Sequence, residues 1–302
     1  ALPAGLVMIV QGKGSEVVPA LMKDFRFDHI FFTGSTTVGK SVLSLAAPHL
    51  TPVTLELGGK SPAIVDRNAD LKVAAKRIAW SKYFNAGQTC ITTDHALVHV
   101  SVMDGFLDAY RRFVERAFGE DPQRSPHYAR LVNDKRFTTV QSYLSQGTAF
   151  IGGRSDAADR YISPTVLLDV PAQSPVLREE IFGPVLPVIP WTEPEEVVTI
   201  SQRNPHPLAA YIFSNDSGAQ QYFRERIAFG GGCINHCMLH FGNLDLPFGG
   251  VGTSGMGRYH GRGTFDLFSS RKGMVHASTL VDHGLQEPPY TAFKEKVLRR
   301  LL

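Results

Sequence analysis

The strongest constraint on the fold lies in the first sixty residues, where short apolar runs alternate with helical stretches. Leu6–Val10, Asp28–Thr33 and Pro52–Leu57 read as strands of the buried type, closed by Gly12 and Gly14, by Gly34 and by Gly58-Gly59. Between them, Ser15–Met22 and Thr37–Ala47 read as helices, the second with Val38, Val42, Leu45 and Ala46 on one face. Strand, helix, strand at this spacing predicts right-handed crossovers and a parallel sheet with helices on its faces, an α/β fold. Three strands are half of a doubly wound domain. Because the chain opens at Ala1 a few residues before its first strand, an amino-terminal part of a longer protein is expected to be missing.

Further on, Leu71–Phe84, Met103–Ala117, Asp134–Gln146, Glu195–Gln202 and Gly218–Ile227 read as helices. His95–Val100, Tyr161–Leu168 and Val185–Ile189 read as strands, Gly230–Gly263 as glycine-rich and loop-dominated, and Ser270–Ala277 as a late strand. Three domains are expected: 1–57, 58–268 and a tail, 269–302. No apolar run reaches the roughly 18 residues that span a bilayer. The basic tail helix is too short for stable membrane anchoring. A formal net charge of +3, with the basic residues scattered, speaks against nucleic-acid binding. Three cysteines, Cys90, Cys233 and Cys237, are too few for a disulfide framework and indicate a reducing compartment, the cytoplasm. The Cys233/Cys237 spacing lacks a second ligand pair, so no metal site is expected.

Several short segments could carry chemistry. In Asn85-Ala-Gly-Gln-Thr-Cys90 a cysteine follows a glycine turn between a helix and a strand. It can act as an exposed nucleophile on a fixed backbone, or simply be a small buried hydrophobe. Glu56 ends an apolar strand before Leu57-Gly-Gly-Lys-Ser. Burial would raise its pKa into the range of a general base, whereas pairing with Lys60 would make it structural. Phe32-Thr-Gly-Ser-Thr-Thr-Val-Gly39 places a glycine turn at a helix start, where free N–H groups could meet phosphate or merely be capped. Glu179-Glu-Ile-Phe-Gly-Pro184 could hold a ribose and press a ring, or be a surface turn.

Together and in this order, these strings and Leu246-Pro-Phe-Gly-Gly250 resemble the aldehyde dehydrogenase superfamily, from about residue 3 to 277. The stretch Gly249–Gly261 is similar to the class 3 branch, and Pro288-Pro289-Tyr290 to its coniferyl-aldehyde type. The resemblance implies the carboxyl-terminal part of that fold: half of a doubly wound cofactor-binding sheet, then an α/β catalytic domain. It implies NAD- or NADP-dependent oxidation of an aldehyde to a carboxylic acid, with medium-chain aliphatic or aromatic aldehydes as substrates. Cys90 matches the nucleophile and Glu56 the base that activates the hydrolytic water. Gly34, Ser35, Val38, Gly39 and Leu57 match the cofactor cradle, Glu180 the carboxylate on the nicotinamide ribose, and Phe182 the ring beside the nicotinamide. Trp80, Thr89 and Phe248 are expected along the aldehyde channel, ordinary core packing being the alternative for Trp80. The family's oxyanion-hole asparagine and adenosine-ribose lysine fall outside this chain, so the 302 residues alone are expected to be inactive. The late strand 270–277 implies a homodimer. Two other readings remain: transfer of the thioester to coenzyme A, and a non-catalytic dinucleotide-binding scaffold.

Overall fold

The structure, a computed structural model, describes residues 3, 5–280, 282 and 284–301. It divides into two compact units, Ala1–Phe268 and Ser269–Leu302. The first opens with helix α1 (Gly14–Asp24), strand β1 (Ile30–Thr33), helix α2 (Thr36–Ala46) and strand β2 (Val53–Glu56). Ser35 caps α2, its side chain accepting from the Val38 amide. β1 and β2 pair in parallel, as the crossover predicts, with Thr33 opposite Glu56.

The larger sheet begins with β3 (Pro62–Val65), then α3 (Leu71–Tyr83), β4 (His95–His99), α4 (Met103–Phe118) and α5 (Asp134–Gln141). It continues through β5 (Thr148–Ile151), the hairpin β6 (Ser155–Asp156) and β7 (Tyr161–Ile162), β8 (Thr165–Leu168) and β9 (Val185–Trp191). Then come α6 (Pro194–Gln202), β10 (Ala209–Phe213), α7 (Ser217–Arg226) and β11 (Gly231–Ile234). The short helix α8 (Leu239–Gly242), β12 (Gly255–Met256) and α9 (Gly261–Leu267) complete the unit. The seven strands run β11-β10-β3-β4-β9-β8-β5, parallel except for β5. β12 lies antiparallel to β2 in the smaller sheet.

The sheet is covered on both faces, so its central strands are apolar throughout rather than alternating. Alternation still decides which face each residue serves: Ala63, Val65, Ala96 and Val98 pack with α3 and α4 residues such as Ile78, Phe106 and Tyr110. Ile64, Leu97 and Ile212 pack with Trp191, Val197 and Phe223 on the α6–α7 side. α4 buries Phe106, Leu107, Tyr110 and Val114, one stripe of a helix.

Four sequence expectations are corrected. Leu6–Val10 forms no strand: all five side chains are more than half exposed, and the run has no ladder partner among the described residues. Ser270–Ala277 is irregular for the same reason, since a strand exists only by pairing. Asp134–Gln146 stops as a helix at Gln141 and continues in turns. Tyr161–Leu168 is two strands, broken at Ser163-Pro164, where proline brings no N–H to a ladder. The loop-dominated segment 230–263 also holds three short elements, β11, α8 and β12. The second unit carries α10 (Ala292–Leu301).

Candidate active site

Cys90 stands on a strained support. Behind α3 the chain makes a tight turn, Phe84–Gly87, with Asn85 at φ 50°, Ala86 at 51° and Gly87 at 76°. Two non-glycine residues in the left-handed region cost about 1–3 kcal/mol each, and persist only where the surroundings fix them. Gln88 does the fixing. Its amide donates to the carbonyls of Asn85 and Arg130, both at 3.0 Å, and its oxygen accepts from the Val132 amide at 2.8 Å. The Thr92 amide then bonds the Thr89 carbonyl at 3.1 Å, closing a turn with Cys90 and Ile91 at its corner. Thr92 and Thr93 tie that turn back to Ser81 on α3.

The thiol is half-buried against the main core. Burial, then the Glu180 and Glu56 carboxylates, push it up to about 11, although the amides of Cys90 and Ile91 donate toward the sulfur. This coupling brings together the three residues singled out from sequence for the thiol, the base and the ribose.

Glu56 ends β2, only 3% exposed, and neither carboxylate oxygen has a hydrogen-bond partner among the described residues. Burial pushes it up to about 7, against the pull of Arg258. Arg258 is itself engaged, donating to the carbonyls of Gly230 and Gly249 at 2.9 Å. Lys60 does not pair with Glu56; it pairs with Asp94. A Cβ on Gly249 would lie 3.1 Å from Glu56 Oε1, so the 246–250 motif makes room for this carboxylate.

Glu180 is gripped from both sides by the Lys60–Asp94 ion pair. Lys60 donates to the carbonyls of Val176 at 2.8 Å and Glu179 at 2.9 Å, while Asp94 Oδ2 accepts from the Ile181 amide at 2.9 Å. The amide of Gly59 donates to the Glu180 carboxylate, which lies so close over Gly58 that a Cβ there would sit 2.2 Å from Oε2. Burial first, then the nearby Asp94, push Glu180 up to about 7. Lys82 lies fully buried beside this group, and its burial lowers it to about 7. Phe182 is half-buried at φ 46°, with the Arg136 guanidinium 5.7 Å from its ring centre.

The glycine turn meets this group through the backbone: the Gly34 amide donates to the Glu56 carbonyl at 3.0 Å. Gly39 lets α2 close onto buried Leu57, whose Cδ2 would be 2.7 Å from a Cβ at that position, and Val38 points outward, half exposed. Among the expected channel residues, Trp80 is 40% exposed on α3, its ring near Phe84 and His236. Thr89 is half-buried in the Cys90 turn, and Phe248 is buried in an aromatic cluster with Phe241, Tyr259 and His260. Sequence reasoning missed Tyr259, whose hydroxyl is raised by burial and then by both Glu56 and Cys90. It also missed the roles of Gln88 and Asp94; no spacing rule reveals either. No group of three or more metal-ligand side chains occurs among the described residues.

The aldehyde dehydrogenase family model matches residues 1–274. The chain is 44% identical to aldehyde dehydrogenase family 3 comG of Dictyostelium discoideum, over 92% of this chain and 60% of that protein. It is 44% identical to the 4,4'-diaponeurosporen-aldehyde dehydrogenase of Staphylococcus aureus, over 95% of this chain and 62% of the relative. The solved substrate-bound state of Staphylococcus aureus AldH superimposes with a TM-score of 0.89 at 42% identity, covering 97% of this chain and 64% of that one. The NAD-dependent aldehyde dehydrogenase of Sinorhizobium meliloti gives 0.83 at 33% identity, over 93% and 56%. The chain thus spans about three fifths of the length of these relatives. With the fold, the motifs and the family model in agreement, this chain belongs to the aldehyde dehydrogenase family.

Proposed function

We propose that these residues form the catalytic part of an NAD(P)-dependent enzyme that oxidises an aldehyde to a carboxylic acid. The observation that carries the reading is a buried carboxylate without a hydrogen-bond partner among the described residues, Glu56, coupled to a half-buried thiol, Cys90. Leaving a buried acid unpaired costs stability, so a fold that does so uses it.

The residues present fit a dinucleotide. Glu180 is held rigidly over Gly58 with its carboxylate ready for ribose hydroxyls, Phe182 stands two residues on, and the first-turn amides of α2 lack intrahelical acceptors. Gly34, Ser35, Val38, Gly39 and Leu57 would line the pyrophosphate end. When bound, the cofactor supplies the acceptor for the aldehyde's hydride.

The protein's own steps follow from its pKa values. With its thiol pushed up to about 11, Cys90 is protonated at neutral pH, and Glu56 near 7 is half ionised and able to take that proton. Sulfur then adds to the carbonyl carbon, moving the C=O electron pair onto oxygen. The amides of Cys90 and Ile91 are directed at the sulfur, so they are our candidates to donate to the oxyanion that forms beside it; one such donor is worth about 3–4 kcal/mol. Re-forming the carbonyl with loss of hydride leaves a thioester. Glu56 gives the thiol's proton up to solvent and, ionised again, removes a proton from water; the resulting hydroxide attacks the thioester carbon and expels the Cys90 thiolate, giving the acid. A positioned base favours water as the acceptor.

Trp80, Thr89 and Phe248 are our choice for the aldehyde side, with medium-chain aliphatic or aromatic aldehydes as substrates. Residues 1–57 would be the carboxyl-terminal half of the NAD(P)-binding domain, with Glu56 at its end, 58–268 the catalytic domain, and 269–302 the segment for assembly into a homodimer. No helix among the described residues is long and apolar enough to cross a membrane, and three free cysteines suit the cytoplasm. In the full-length protein, Cys90→Ala should abolish aldehyde oxidation; a variant that kept most of its turnover would refute the reading.

A further inference from the structure

A cavity of about 580 Å³ is lined by Lys60, the same residue that holds the segment around Glu180. This is within the range of small-molecule sites. Its floor is Lys60 and His95, 4% and 5% exposed, at the amino ends of β3 and β4. Leu177, Ile189, Ile200 and Pro207 give it an apolar wall. Arg178 and Arg203, both exposed, stand at its rim, and no carboxylate is among its lining residues.

The charge in this cavity is unbalanced in a specific way. Lys60 is already neutralised by Asp94, and burial lowers His95 so that it stays uncharged. Arg178 is bonded only to the neutral amide of Gln173, and Arg203 makes no side-chain hydrogen bond or ion pair among the described residues. The carbonyls at the end of α6 face the same region with partial negative charge, but two full guanidinium charges outweigh them. Guanidinium forks match a carboxylate in two parallel bonds, and an apolar wall beside them suits a hydrocarbon body.

The geometry points to a second binding site, for an amphiphilic carboxylate, with its anionic head between Arg178 and Arg203 and its chain along Leu177, Ile189 and Ile200. The site is coupled to the Cys90 group. Its inner wall is the segment that carries Glu180, held there by Lys60 on Val176 and Glu179 and by Asn204 on the Leu177 carbonyl at 2.9 Å. A ligand pressed against Leu177 bears on Glu180, which in turn raises the Cys90 thiol.

Calorimetric titration of this chain with decanoate tests the site without measuring turnover, so its failure is separable from failure of the proposed reaction. Saturable one-to-one binding is expected, weakened about tenfold or more by Arg203→Glu and by Arg178→Glu. Both arginines are exposed, and circular dichroism would confirm that the variants fold. Decanol should bind at least about tenfold more weakly than decanoate, and so should inorganic phosphate. Absence of saturable binding, binding that ignores both charge reversals, or decanol or phosphate binding as tightly as decanoate would each overturn the site. Saturating decanoate should also change the alkylation rate of Cys90 by about twofold or more in the parent chain and not in Arg203→Glu; an unchanged rate in the parent would overturn the coupling.

Discussion

Gly87 is where two distant motifs touch, and replacing it with alanine tests whether that contact supports the Cys90 turn. A Cβ built on Gly87 lies 2.3 Å from the Gly183 carbonyl oxygen and 3.0 Å from the Lys82 carbonyl oxygen. Both neighbours are backbone, so neither can swing aside. Ordinary contact begins near 3.4 Å, leaving a shortfall of about 1 Å that only movement of the main chain can relieve. The left-handed φ of +76° adds about 1–2 kcal/mol for any L side chain. Overpacking adds about 1–3 kcal/mol, so Gly87→Ala should lose about 2–5 kcal/mol. Gly119→Ala is the matched control: it shares φ +76°, with ψ −172°, but a Cβ there meets nothing within 4 Å. The control therefore carries backbone strain alone, about 1–3 kcal/mol. Urea unfolding reads both as a fall in midpoint at unchanged slope. If Gly87→Ala is no more destabilising than Gly119→Ala, the contact between the two motifs does not hold the turn.

The Lys60–Asp94 pair should behave as a buried ion pair broken on one side: Asp94→Asn should cost about 3–5 kcal/mol. Adding Lys60→Met should recover part of that loss; a single substitution costing under about 1 kcal/mol in urea unfolding would contradict the clamp. Glu56 should make stability fall as pH rises. Its folded-state pKa of about 7 lies above the ordinary carboxylate value, so between about pH 4.5 and 7 the native state holds a proton that the unfolded chain has lost. The loss across that window is up to about 3 kcal/mol and should vanish in Glu56→Gln; equal slopes in both proteins would refute it. The same variant removes one of the negative charges that raise Cys90, so alkylation at pH 9 should speed up roughly two- to threefold. Slower alkylation would show that Glu56 does not face the thiol.

The longer helices were legible because they carry their own signals. Asp70 caps α3, Ser35 caps α2, and α4 shows its stripe in the sequence before any partner is known. Strands are another matter. Leu6–Val10 and Ala209–Phe213 are both five-residue runs of apolar side chains, yet only the second forms a strand, because β3 and β11 lie on either side of it. Composition records a tendency to pair; it does not record whether a neighbour is there. The same asymmetry governs the site. Cys90 and Glu56 could be read from local strings, since a turn and a strand end are local events. Whether Lys60 pairs with Glu56 or with Asp94 could not, because Asp94 lies 34 residues further along and is brought alongside only by β3–β4 pairing.

That choice of partner sets the chemistry. Asp94 and Glu56 are both buried carboxylates, and burial raises both. For Asp94 the ion pair with Lys60, the His95 ring 3.6 Å away and the charge of Lys82 overcome burial and hold it well below the usual carboxylate range, so it is a fixed anion that grips the segment around Glu180. For Glu56 the cation that pulls on it, Arg258, is engaged with two backbone carbonyls, so burial prevails and the acid titrates near neutrality. Had Lys60 taken Glu56 instead, Asp94 would lose the cation that keeps it charged and Glu56 its ability to exchange a proton at pH 7. The pairing that stabilises the Glu180 segment is thus the same pairing that leaves Glu56 free to act as a base, and a single lysine decides both.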